Sequence, residues 1–154
     1  MNRILPLVLS AIIPLAAMAQ EAPDPTPDDL IRPAGNVDLS EFLWISRPVV
    51  VFADTPADPR FIDQINMLRD EIDRLRDRDV VVLFDADPAA KSPARQKLRP
   101  RGFMLVLIGK DGTVRLRKPL PWSVREIAAS IDKTPERKRE VEERRSDPGQ
   151  TAPN

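Results

Sequence analysis

The sequence predicts an α/β domain, a βαβ unit followed by ββα around a central mixed four-stranded sheet. Three observations carry this. Two continuous apolar runs, "RPVVVFA" (Arg47–Ala53) and "DVVVLFDAD" (Asp79–Asp87), flank an amphipathic stretch. A third run, "GFMLVLIGKDGTVRLRK" (Gly102–Lys118), is interrupted by Lys110-Asp111-Gly112, and Asp-Gly is a preferred hairpin pair. A capped helical segment follows it. Apolar runs that do not alternate suit strands covered on both faces, hence the centre of a sheet. Strands joined through a helix are parallel, with a right-handed crossover. The hairpin adds two more strands, one of them antiparallel.

Taken in order, the chain opens with "MNRILPLVLSAIIPLAAMAQE". Arg3 supplies a positive start, Ile4 to Ala17 are uncharged and apolar, and Ala17-Met18-Ala19 has the small-x-small form that a signal peptidase accepts. Residues 1–19 are therefore expected to be a cleaved signal peptide, with the mature chain periplasmic or secreted. The run is shorter than the roughly 20 apolar residues a membrane span needs, so no stable anchor is expected after cleavage. Residues 20–37, "QEAPDPTPDDLIRPAGNV", are rich in proline and acidic groups and read as a flexible leader.

The domain itself is expected over residues 38–133. Asp38 caps a short helix, Leu39 to Ile45, with Glu41 placed to complete a capping box. After the first strand, Asp58-Pro59 reads as an N-cap and a first-turn proline. Phe61, Ile65, Leu68, Ile72 and Leu75 then fall on one helical face. The opposite face is charged, with Asp70–Arg74 and Arg69–Asp73 as expected pairs. Val80 to Phe84 form the second strand, and Asp85 and Asp87 lie just past its end. "PAAKSPARQKLRPR" reads as a mobile loop holding one helical turn. Arg115, Arg117 and Lys118 charge the last strand as befits an edge. Ser123 caps a helix from Val124 to Ile131. Thr134 and Pro135 open a polar helix over 134–146, held by Glu140–Arg144 and Arg139–Glu143 and expected to be a solvated tail. Residues 147–154 are expected to be disordered. The order is that of a thioredoxin-like sheet.

Composition excludes several chemistries. Twenty-four basic and 24 acidic residues balance, which argues against binding nucleic acid. The chain has no Cys, no His and no Tyr. Without cysteine it has no thiolate and no disulfide cycle, so a thiol-disulfide oxidoreductase or peroxidase is excluded. Without histidine it has no Ser-His-Asp triad and no ordinary zinc site. No cofactor is expected.

Gly102–Arg117, Ile131–Val141 ("IDKTPERKREV") and "RPVVVFA" together resemble the domain of unknown function 4174 family over about Asp38 to Glu143. Its members are mostly small exported bacterial proteins, with related domains in vertebrate extracellular sushi-repeat proteins. The resemblance implies a thioredoxin-like or peroxiredoxin-like fold and export. It carries no catalytic residue. Family members often have Met-Pro-Met where this chain has Thr134-Pro135-Glu136.

In a thioredoxin the reactive cysteines lie where a strand feeds a helix; here that place is Asp54 to Arg60. Pro100 is out of register for the cis-proline that precedes the third strand of a thioredoxin. Three readings follow. In the first, the module is redox-inactive and binds a protein or peptide partner through a groove of Asp54, Thr55, Pro56, Phe103 and Trp122, by addition of a strand or docking in a loop groove. Trp122 by itself reads more readily as a core anchor next to a turn. In the second, Asp54, Asp85 and Asp87, at the C-terminal ends of parallel strands, hold Mg²⁺ or Ca²⁺, with Lys91 or Lys110 assisting phosphoester hydrolysis. In the third, the helix start at Asp58 binds a small anion, with the Asp58 carboxylate opposing it.

Overall fold

The computed structural model describes residues 30–147. Its strands are β1 (Ile31–Pro33), β2 (Arg47–Phe52), β3 (Val80–Asp85), β4 (Met104–Ile108) and β5 (Val114–Lys118). They form one sheet in the order β1-β3-β2-β4-β5. β1 and β2 run parallel to β3, while β4 runs antiparallel to both β2 and β5. The expected signal peptide and nearly all of the expected tail fall outside the described residues.

β2 explains the architecture. All six of its residues are buried, with Val49, Val50, Val51 and Phe52 fully enclosed. Successive side chains leave a strand on opposite faces. Val49 and Val51 join a core with Leu68, Leu75, Leu105, Ile127 and Ile131. Val50 and Phe52 join a second core with Phe42, Leu83, Leu98 and Val106. Each buried aliphatic side chain contributes about 1.5–3 kcal/mol. The first core is roofed by α1 (Pro59–Asp70), α2 (Ile72–Arg76) and α4 (Val124–Asp132). The second is closed by α3 (Pro93–Leu98) and a 3-10 turn at Leu39–Phe42, whose capping box at Asp38 and Glu41 is formed as expected. The hairpin turns at Lys110-Asp111-Gly112, where Gly112 takes φ +78°.

Several expectations are corrected. The sheet has five strands rather than four, because β1 lies inside the expected leader. Ile31 is apolar and buried, and Ala34 donates its N–H to Phe84 O at 2.8 Å. The helix expected through Leu75 breaks at Glu71, which leaves the helical region at φ −121°, ψ 34° without a proline or glycine to signal it. The Pro88–Arg101 segment is not a mobile loop. Asp87 and Ser92 each cap a short helix that starts with proline, and Ala94 and Leu98 bury its inner face.

The expected charge pairs give way to others. Asp73 pairs with Arg76, and Arg74 pairs with Glu71 at 3.1 Å. The terminal helix, α5 (Pro135–Ser146), is docked rather than a solvated tail. Glu140 reaches Arg47 at 2.8 Å and Lys110 at 3.1 Å, and Lys110 also holds Asp79 at 2.8 Å. Arg47 and Arg137 are both buried. A sheet-end ion network therefore holds a helix that has almost no apolar face.

Candidate functional site

The C-terminal ends of the parallel strands carry an open cleft of about 680 Å³. One wall is the β2–α1 loop, Asp54, Thr55 and Pro56; the other is Pro33, the last residue of β1, with Gly35 and Asn36 just beyond it. Phe61 and Phe84 also line it, their rings 6.1 Å apart and edge to face. Asp85, Ala86, Asp87, Ala90 and Ser92 complete the lining. The chain builds this site because β2 and β3 are parallel, so both of their exit loops emerge at one end of the sheet.

Asp85 is the last residue of β3 and is buried. Its carboxylate accepts hydrogen bonds from the Ser92 hydroxyl, the Asp87 N–H at 3.0 Å, and Arg95 Nε and Nη2 at 3.1 and 2.9 Å. Arg95 Nη2 also donates to Ala53 O at 2.9 Å and Asp85 O at 3.0 Å. Its guanidinium lies 5.3 Å from the Phe52 ring centroid. One arginine thus ties the ends of β2 and β3 together. Burial pushes the Asp85 carboxyl up, but the hydrogen bonds from Arg95, Ser92 and the Asp87 amide outweigh it and hold the group below the usual carboxylate value.

This geometry decides among the expected constellations. Asp54, Thr55 and Pro56 come together on the cleft wall. Phe103 and Trp122 do not join them. Phe103 is enclosed in the core, with the Arg60 guanidinium 5.5 Å from its ring centroid. Trp122 packs half-buried against the same core, with Lys118 Nζ 4.4 Å from its ring centroid. The side chain of the enclosed Gln64 clamps the Trp122 backbone, accepting its N–H at 2.7 Å and donating to its carbonyl at 3.0 Å. Trp122 thus fits the core-anchor reading.

The metal set is corrected. Asp54, Asp85 and Asp87 do line one cleft, but the Asp85 oxygens are committed to Arg95, Ser92 and Asp87. Among the described residues no group of three His, Cys, Asp or Glu is placed to hold a metal ion. Lys110 is engaged with Asp79 and Glu140 at the opposite end of the sheet, and Lys91 is not in the cleft lining. The anion reading fails on its own cap. Asp58 Oδ1 accepts the Arg60 N–H at 2.9 Å, and Arg60 Nη2 pairs with Oδ2 at 2.8 Å. Those hydrogen bonds from Arg60 hold the Asp58 carboxyl below its usual value.

Arg95, Gly35 and Asn36 were not among the expected site residues. The signals were Ser92-Pro93, a cap followed by a first-turn proline, and Leu30-Ile31, an apolar pair in a polar leader.

Fold and site together define a thioredoxin-like α/β domain. The reduced 2-Cys peroxiredoxin of Plasmodium vivax is similar with a TM-score of 0.55 and 16% identity, over 67% of this chain and 85% of that one. Plasmodium yoelii Prx1a aligns with a TM-score of 0.49 and 20% identity, over 76% of this chain and 84% of that one. The chain itself belongs to the DUF4174 family, described as a domain of unknown function, whose model matches residues 38–140. No curated protein matches it.

Proposed function

We propose that this chain is an exported, redox-inactive thioredoxin-like module that docks a peptide segment of a partner protein in the cleft at the strand ends. The observation that carries this reading is the cleft itself. Its volume falls in the range of ordinary ligand sites, about 300–1,000 Å³, and its walls mix apolar side chains with a few polar ones. Thr55 and Pro56 occupy the loop where a thioredoxin has cysteines, and the chain has no cysteine to place there. β1 is an edge strand of the sheet, so among the described residues its side away from β3 is open to an incoming strand.

The test is a displayed-peptide selection against the purified chain, followed by amide chemical-shift mapping of the selected sequences. Shifts at Gly35, Asn36 and Thr55, abolished in Thr55→Arg, support docking in the cleft. Selection without enrichment, or shifts confined to another face, overturns it. Export has its own test. Protein recovered from the periplasm or medium should begin at Gln20, and retention of residues 1–19 would reject cleavage.

A further inference from the structure

We infer that the cleft selects an extended peptide segment in which lysine or arginine stands beside apolar residues. This rests on the docking reading above and adds the sign of the partner's charge.

The cleft lining contains three carboxylates and no lysine or arginine. Asp85 is neutralised by Arg95. Asp54 and Asp87 are exposed and, among the described residues, neither is in an ion pair. Asp87 uses one oxygen to cap the turn behind it, accepting from the Ala89 N–H at 3.0 Å. Of the cations near these two aspartates in the chain, Arg60 and Arg95 are engaged with other groups, while Lys91 is exposed and stands outside the cleft lining. Arg60 is bidentate on Asp58, and Arg95 is bound to Asp85 and the strand-end carbonyls. Arg69 lines a separate groove of about 220 Å³ beside the same phenylalanines. The cleft therefore has an aromatic lining, Phe61 and Phe84, and at its rim two carboxylates, Asp54 and Asp87, that form no ion pair among the described residues; Arg60 feels the Asp54 charge but is paired with Asp58.

A long cationic side chain fits such a surface. Its methylene stem packs on apolar wall while its head stays at the wet, charged rim. Aromatic rings also attract cations. Charge complementarity likewise rules against the chain's own leader as occupant. Glu21, Asp24, Asp28 and Asp29 precede β1 and carry the same sign as the rim.

The experiment titrates the isotope-labelled chain with three nine-residue Gly/Ser peptides. They differ only in a Leu-Lys-Leu-Lys, Leu-Gln-Leu-Gln or Leu-Glu-Leu-Glu centre. The Lys peptide should bind about tenfold tighter than the Glu peptide, with shifts at Gly35, Asn36, Thr55 and Asp87. The preference should shrink with added salt and collapse in the double variant Asp54→Asn, Asp87→Asn. Asparagine preserves the cap at position 87. Unchanged amide shifts away from the cleft confirm that the variant is folded. Equal binding of all three peptides in the cleft, or a preference surviving the double variant, overturns the charge inference while docking stands. A cleft unmoved by any of the three overturns both.

Discussion

Arg95 shows how much one side chain can organise. It satisfies a buried carboxylate and two backbone carbonyls on neighbouring strands. Arg95→Met would leave Asp85 charged, enclosed and short of its strongest partners. A loss of about 3–5 kcal/mol in urea denaturation is the expected result, since breaking one side of a buried pair strands the other. Gln64→Leu would leave the Trp122 N–H and carbonyl without their partner, at a cost of about 1–3 kcal/mol in the same assay. At Gly112 the backbone is left-handed, and an added Cβ would lie 2.8 Å from Leu43 Cδ2. Gly112→Ala should therefore destabilise by at least about 1–2 kcal/mol, the strain of that conformation alone. The Asp-Gly pair was legible in the sequence because its turn chemistry is local. The Gln64 clamp was not, because a glutamine between Ile62 and Ile65 gives no sign of which distant backbone it will meet.

Among the elements, α5 depends most on ionisation. Burial pushes the Glu140 carboxyl up, but Arg47 and Lys110 overcome this and bring it down to about 2 from an ordinary 4.5. A carboxyl lowered in the folded state stabilises it above the unfolded value, and that contribution is lost as pH falls toward the folded one. The window is thus pH 4.5 down to about 2, and the contribution is on the order of 3 kcal/mol. Melting temperatures measured across this window should fall more steeply for the wild type than for Glu140→Gln. Parallel slopes would show that Glu140 does not anchor the helix. Four of the strands and their order along the chain were readable because continuous apolar runs separated by a helix admit few arrangements. The docking of α5 was not, since its partners Arg47 and Lys110 lie in remote segments and only folding places them beside Glu140. The same remoteness hid β1, whose three residues carry too little pattern to read as a strand.

Across the whole molecule, the ion network and the cleft occupy opposite ends of β2. Arg47 opens that strand and Ala53 follows it, so the two ends are roughly 20 Å apart by the strand rise. Arg95→Met and Glu140→Gln share no partner, and their stability losses should add to within about 0.5 kcal/mol in a double-mutant cycle. A coupling well above that would mean the sheet transmits strain from end to end. The candidate site was half legible. The Asp54–Pro56 loop followed from strand order, whereas the facing wall required knowing that Ile31 pairs beside Val82. β1 leads the described chain yet can join the sheet only where β3, about fifty residues later, is present to pair with it. A chain in which that pairing has not formed has one wall of the cleft and lacks the other.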